Sequence, residues 1–105
     1  MSSGKRTLFV YGSLKRDGVH HGKLRGVSFL GEARTAASYG LARAYGRYLA
    51  LVPGAEAVSG ELYEVTTALL EELDEFEGEA YERVQVLLEF PEPFQNALAY
   101  ALKQR

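Results

Sequence analysis

Apolar and polar positions change period several times along the chain, and each change marks an element. Leu8 to Tyr11 is a short apolar run that stops at Gly12-Ser13, as a buried strand does when it exits into a tight loop. Lys15 to Gly26 mixes three glycines and two histidines with charges, and reads as an ordered loop with a single helical turn near His21 to Leu24. Short stretches of Ala, Tyr, Leu and Val follow, broken at Gly40, Gly46, Pro53-Gly54 and Gly60, which is the spacing of a strand meander. Strands are placed near Glu32 to Ala37, Tyr39 to Arg43, Tyr48 to Val52 and Ala57 to Val65. The period then becomes helical: Leu69, Leu70, Leu73 and Phe76 share one face, Thr66 or Thr67 can cap the start, and Gly78 suits a left-handed C-terminal position. Tyr81 to Phe90 alternates, with Val84, Val86 and Leu88 on one face and Arg83, Gln85 and Leu87 on the other. Pro91-Glu92-Pro93 forces a turn, and Asn96 to Leu102 is the last strand. About seven strands with one helix and no internal repeat suggest an α+β fold with a barrel-like sheet.

One position breaks the helical pattern. At about 100° per residue, Glu77 projects inside the apolar arc of Leu69, Leu70, Leu73 and Phe76, whereas Glu71 and Glu75 project to the opposite side. A carboxylate on the buried edge of a helix must be paired, protonated or used, because desolvating it without compensation is costly. The bland alternative is a solvated acidic run, since Asp74, Glu75, Glu79 and Glu82 lie nearby and Gly78 can end the helix early enough to turn Glu77 outward. Both readings stand on spacing alone.

Composition narrows the chemistry. A chain of 105 residues is expected to be one domain over 1–105, with residues 1–5 loose, one core and one site. Seven Tyr and five Phe supply bulky core material in the absence of Trp. With no cysteine, disulfides, thiolate catalysis and the usual structural zinc sites are excluded. The formal charge of −2 offers no field for phosphate backbones, and the basic cluster Lys15, Arg16, Lys23 and Arg25 reads as a solvated loop, so nucleic acid is not expected as a partner. The apolar run after the basic N-terminus is too short for a signal sequence and no segment spans a membrane, which leads to the expectation of a cytoplasmic location.

Other candidates are weaker. A Gly-Ser turn directly after a buried strand, as at Tyr11-Gly12-Ser13-Leu14, can expose consecutive backbone N–H groups to an anion, or can simply end the strand. His20 and His21 cannot face the same way on a regular element and lack an acid at zinc-ligand spacing, so no metal site is expected. Ser13 is not in a nucleophile elbow. On spacing alone Arg83 reads as the ion-pair partner of a neighbouring acid and Tyr81 as core, and Tyr39 and Tyr48 as core or cavity wall.

Two motifs taken together point further. Val10-Tyr11-Gly12-Ser13-Leu14-Lys15-Arg16 and the later Leu73-Asp74-x-Phe76-Glu77-Gly78-x-x-Tyr81-x-Arg83-x-x-Val86 closely resemble the signature pair of the γ-glutamylcyclotransferase-like family, which includes γ-glutamylamine cyclotransferases and AIG2-like proteins. Gly31, Leu49-Ala50-Leu51-Val52-Pro53-Gly54 and Val58-x-Gly60-Glu61-Leu62-Tyr63-Glu64-Val65 extend the resemblance over roughly Leu8 to Leu102. It implies a small mixed β-barrel of about six or seven strands flanked by one or two helices, with the loop after the first strand facing the acidic helix end. It further implies that Glu77 is the catalytic acid/base and that Tyr11, Gly12, Ser13 and Leu14 hold the glutamyl group, chiefly through their backbone. Tyr81 and Arg83, from the second motif, complete the expected substrate-binding set. The implied reaction is closure of 5-oxoproline from a small γ-glutamyl amine or γ-glutamyl amino acid, with no metal, nucleotide or organic cofactor, and with the oligomeric state left open. A solvated Glu is a poor base for an α-ammonium, so an apolar site with other acids near should raise the pKa of Glu77. The chain departs from the family at Leu49, where a proline often follows the tyrosine, and at His20, where an asparagine is frequent. The rival reading from another class is a non-catalytic module of the same fold that binds a small metabolite or a protein.

Overall fold

The computed structural model describes residues 4–11, 21–24, 26–44, 48–91 and 95–103. Seven strands and one α-helix are built from these residues: β1 (Lys5–Val10), β2 (Ser28–Thr35), β3 (Tyr39–Ala44), β4 (Tyr48–Pro53), β5 (Ser59–Thr66), α1 (Thr67–Glu77), β6 (Tyr81–Phe90) and β7 (Asn96–Leu102). A single 3-10 turn, His21–Leu24, lies where the sequence places one. The strand order is β1-β5-β2-β6-β7-β4-β3, and an additional parallel pairing of β1 with β7, Leu8 opposite Leu98, closes the first five strands into a ring. The sheet is thus mixed and partly closed, the α+β barrel-like architecture that the pattern suggests.

The meander is not what forms. β2 pairs with β5 on one side and β6 on the other, while β3 pairs with β4 alone among the named strands, as a hairpin. That hairpin joins the sheet through a parallel bridge from Leu51 of β4 to Ala101 of β7. Spacing of turn residues reports where strands end but not which strand each one finds, and here the burial of both faces of β5 decides the pairing. β2 also starts at Ser28, four residues before the expected Glu32, because Gly31 at φ 129 carries a bulge that keeps Phe29 and Glu32 in one ladder with β5.

Alternation distributes the side chains into two cores. Phe9, Ala33, Leu62, Val86, Ala97 and Ala99, one or two from each strand of the ring, meet inside it together with Leu51 and Val58. On the outer face, Leu8, Val10, Tyr63, Val65 and Tyr100 pack under Leu24 of the 3-10 turn and Leu70 and Leu73 of α1, with Phe76 and Leu69 at the margin. β5 therefore buries both faces, and Val84, Val86 and Leu88 point inward while Leu87 is exposed, as the alternation of β6 predicts. The buried Thr35 hydroxyl accepts the Val58 N–H at 2.8 Å, so the interior contains no unpaired polar side chain at that point.

Gly60 on β5 has the least room for a side chain of the described glycines. A Cβ there would press on the Val10 carbonyl oxygen and stand 2.7 and 2.8 Å from the ring of Phe9, which are fixed backbone and packed aromatic rather than a yielding chain end. Gly60→Ala is expected to destabilise the protein by about 3 kcal/mol, the upper part of the usual overpacking range, measured by chemical denaturation.

Candidate active site

The helix that carries Glu77 is held at both ends. Thr66 supplies its hydroxyl to the Leu69 N–H at 3.1 Å as the N-cap. Leu70 and Leu73 are buried against the outer face of β1, β5 and β7, which fixes the rotation of the helix. At the other end the Gly78 N–H bonds the Asp74 carbonyl at 3.1 Å and Gly78 takes φ 85. Glu77 is the last helical residue, so the helix continues far enough to keep its side chain in the apolar arc. The carboxyl is half-buried, and burial pushes its pKa up to about 7. Loss of solvent, rather than the neighbouring acids, is the cause.

Aromatic hydroxyls surround this end of the helix. The Tyr11 phenol is pushed far above its ordinary range, first by burial; the Leu51 N–H opposes that, and the nearby Glu77 carboxylate and Tyr81 add to it. Tyr100 is raised by burial, then by its hydrogen bond to Asp74 and by the charges of Asp74 and Glu77, with Arg83 opposing. Tyr11, immediately after β1, and Tyr100 of β7 thus feel the Glu77 carboxylate, and Tyr81, half-buried at the start of β6, acts on Tyr11. Tyr11 is the last described residue before Gly12, Ser13 and Leu14, which lie outside the described residues, as do His20 and the side chain of Tyr48.

The Tyr11 phenol also has a mechanical task. Its oxygen accepts the Leu51 N–H of β4 at 2.9 Å and donates to the Tyr100 carbonyl of β7. β1 and β4 both pair with β7, at Leu98 and at Ala101, and Tyr11 bridges the seam between them. Its ring lies on Phe9, 6.2 Å between centroids. Tyr39 plays a comparable part elsewhere, accepting the Leu87 N–H of β6 at 3.0 Å.

Arg83 turns to an acid, as spacing alone suggests: its Nε lies 3.0 Å from Asp74 Oδ1. The same oxygen accepts the Tyr100 hydroxyl at 2.7 Å. Sequence reasoning left Asp74 in the acidic run and passed over Tyr100. The available signal was size: in β7 the large Leu98, Tyr100 and Leu102 alternate with Ala97, Ala99 and Ala101, which marks the large face as the one that packs on the helix. No group of three His, Asp or Glu among the described residues is arranged to hold a metal, and no helix among them is long and apolar enough to cross a membrane.

A family model for gamma-glutamyl cyclotransferase, AIG2-like, matches residues 8–105. The chain belongs to that family. Among solved structures of the same fold, an uncharacterized protein from Pyrococcus horikoshii is 29% identical, with a TM-score of 0.79 over 95% of this chain and 80% of that one. An aig2-like protein from Mus musculus is 28% identical, with a TM-score of 0.75 over 95% of this chain and 77% of its own. A gamma-glutamyl cyclotransferase superposes with a TM-score of 0.78 over 95% of this chain and 68% of that chain at 19% identity, a likeness of fold. No curated protein matches the chain significantly. The two signature motifs of this gamma-glutamyl cyclotransferase-like family fall at the end of β1 and across the α1–β6 junction, the regions that Tyr11 and Glu77 bring together.

Two outcomes follow from the geometry. The folded-state pKa of Glu77 lies above its unfolded value, so the stability it confers is present below about pH 4.5 and is lost as pH rises through about 7. Glu77→Gln should therefore gain in melting temperature relative to the wild type between about pH 5 and about pH 8, as read by paired thermal melts. Tyr11→Phe removes an acceptor and a donor at the seam and should cost about 1–3 kcal/mol in chemical denaturation.

Proposed function

We propose that the protein is a γ-glutamylcyclotransferase-type enzyme that releases 5-oxoproline from a small γ-glutamyl amine or γ-glutamyl amino acid by intramolecular aminolysis. The observation that carries this reading is the Glu77 carboxyl, held at the apolar edge of α1 beside the Tyr11 phenol with its pKa near neutrality. An α-ammonium titrates near ~8, so a base near neutrality can take its proton while remaining able to return it. Glu77 removes a proton from the α-ammonium, and the free amine attacks the γ-carbonyl carbon of the same molecule. The new C–N bond closes the five-membered ring and leaves a tetrahedral oxyanion. Collapse of that intermediate breaks the bond to the leaving nitrogen, which takes the proton held by Glu77. The ring nitrogen, positive and carrying two hydrogens after the attack, passes one of them by way of Glu77 to the departing amine, so that 5-oxoproline leaves with a neutral lactam N–H and the amine or amino acid leaves as its ammonium. Protons and electrons balance within substrate and carboxyl, and no external reductant, oxidant or cofactor enters.

In this reading Tyr11 to Leu14 bind the glutamyl group and supply backbone donors to the oxyanion. Tyr81 walls the same space, and Arg83 contributes through its pairing with Asp74 more than through direct contact. Because ring closure is already intramolecular, the protein's contribution is to fold the substrate for attack and to stabilise developing charge.

The test is 5-oxoproline production from a panel of γ-glutamyl amines and γ-glutamyl dipeptides. The wild type should turn over at least one member, with kcat/KM rising through about pH 7 as Glu77 ionises. Glu77→Gln, folded as judged by its melt, should lose about 10²–10⁴-fold in kcat with little change in KM. Full activity in that variant would remove Glu77 from the mechanism. No product from any member would favour a metabolite-binding module.

A further inference from the structure

Asp74 stands nearly one turn ahead of Glu77 on α1, at the junction of three elements. Its Oδ1 accepts the Tyr100 hydroxyl of β7 at 2.7 Å and lies 3.0 Å from Nε of Arg83 on β6. Arg83 and Tyr100 are direct partners in the β6–β7 ladder, so both reach the carboxylate from adjoining strands. The Tyr100 oxygen also lies 3.0 Å from the Leu70 carbonyl, and its one proton faces both acceptors. Meanwhile the backbone carbonyl of Asp74 takes the Gly78 N–H, the i to i−4 bond of the final turn, and the chain leaves the helix at Gly78, where φ is 85. Its side chain therefore ties the last turn to the sheet, and its carbonyl is part of the hydrogen bonding of that same turn.

An ion pair whose side chains are 32% and 40% exposed contributes little to stability by itself. Its geometric consequence is larger, because the final turn of a helix frays unless its groups are held. We infer that Asp74 is the positioning residue for Glu77: by clasping Tyr100 and Arg83 it holds the end of α1 on β6 and β7, so that the Glu77 carboxyl stays in its half-buried place beside Tyr11. The inference rests on the acid/base reading of Glu77 for its functional meaning. Among the described residues, Tyr11, just past β1, and Tyr100 of β7 feel the Glu77 charge, Tyr81 of β6 acts on Tyr11, and Asp74 of the same helix and Arg83 of β6 act on Tyr100.

Two variants separate position from charge. Asp74→Asn loses the charge but keeps an acceptor for Tyr100 and Arg83, whereas Asp74→Ala loses both. The readout is the titration of the Glu77 side-chain carboxyl, followed by its carbon NMR signal in the intact protein. In Asp74→Ala the midpoint should fall by about one unit toward the ordinary glutamate range as water reaches the loosened turn, and Asp74→Asn should keep most of the elevation. Tyr100→Phe, which leaves the charge and removes the contact, should shift it in the same direction as Asp74→Ala. With a γ-glutamyl amine that the wild type turns over, kcat should fall about tenfold in Asp74→Ala with KM little changed, and be largely retained in Asp74→Asn. Equal midpoints in the Ala and Asn variants, or an unmoved midpoint in Asp74→Ala, would overturn the inference. The titration needs no turnover, so absence of 5-oxoproline from the wild type would remove the acid/base reading while the NMR result still decides whether Asp74 holds Glu77 in place.

Discussion

A side-chain hydroxyl completes the sheet at the point on which the rest of the molecule depends. β6 occupies one edge of β7, and the other edge is divided between β1 and β4, both parallel to it. Between the two bridges the Tyr11 phenol takes the Leu51 N–H and gives its proton to the Tyr100 carbonyl. Two backbone polar groups that a broken ladder would strand are thereby satisfied by one oxygen. The ring closes with β1 there, and the chain leaves the sheet at Tyr11, beside the end of α1. The described residue that precedes the proposed binding loop thus carries a bond that serves the fold.

The same coupling of fold and candidate chemistry appears on the helix. Leu70 and Leu73 fix the face that α1 turns to the outer core, and that rotation carries Glu77 into partial burial. A carboxyl placed so opposes folding at neutral pH, since its charged form has lost solvent. Structural ion pairs can also perturb pKa values, but Glu77 is raised by burial, with no cation among the described residues opposing the rise, which supports the proposed use of the group. Asp74, three residues earlier, shows the contrasting solution: its Oδ1 accepts from Tyr100 and pairs with Arg83.

Much of this was legible in the sequence, and the unread parts share a cause. Local period located the strands, the 3-10 turn, the N-cap and the glycine stop, and the helical projection of Glu77 foretold its burial, because each depends on neighbours within a few residues. The meander failed because pairing of β2 with β5 and β6, and of β4 with β7, joins segments far apart in the chain, for which turn spacing carries no information. The Gly31 bulge hid the start of β2 by interrupting its alternation. The Tyr11 bridge and the Tyr100–Asp74 contact are likewise long-range, and the choice of Asp74 by Arg83 was hidden among the six glutamates of similar local appearance between Glu71 and Glu82. The motifs brought Tyr11 and Glu77 together in advance only through resemblance to a family, since nothing in their spacing says that β1 and the end of α1 are neighbours.

The position of Glu77 on the pKa scale bears directly on the proposed reaction. A solvated glutamate at ~4.3 lies almost four units below an α-ammonium near ~8, so handing it the proton would cost about 5 kcal/mol before any bond forms. With Glu77 at about 7 the gap shrinks to about one unit, or roughly 1.4 kcal/mol. The saving, trimmed by whatever solvent reaches the half-open carboxyl, is of the order that general-base catalysis ordinarily provides. Raising the pKa further would leave too little carboxylate at neutral pH, and lowering it would restore the gap. Partial burial at a helix terminus gives this intermediate value, where full burial in either core would keep the group protonated and full exposure would make it an ordinary surface acid. A helix that ends at Glu77, tied down by Asp74, is a means of holding a carboxyl at that depth.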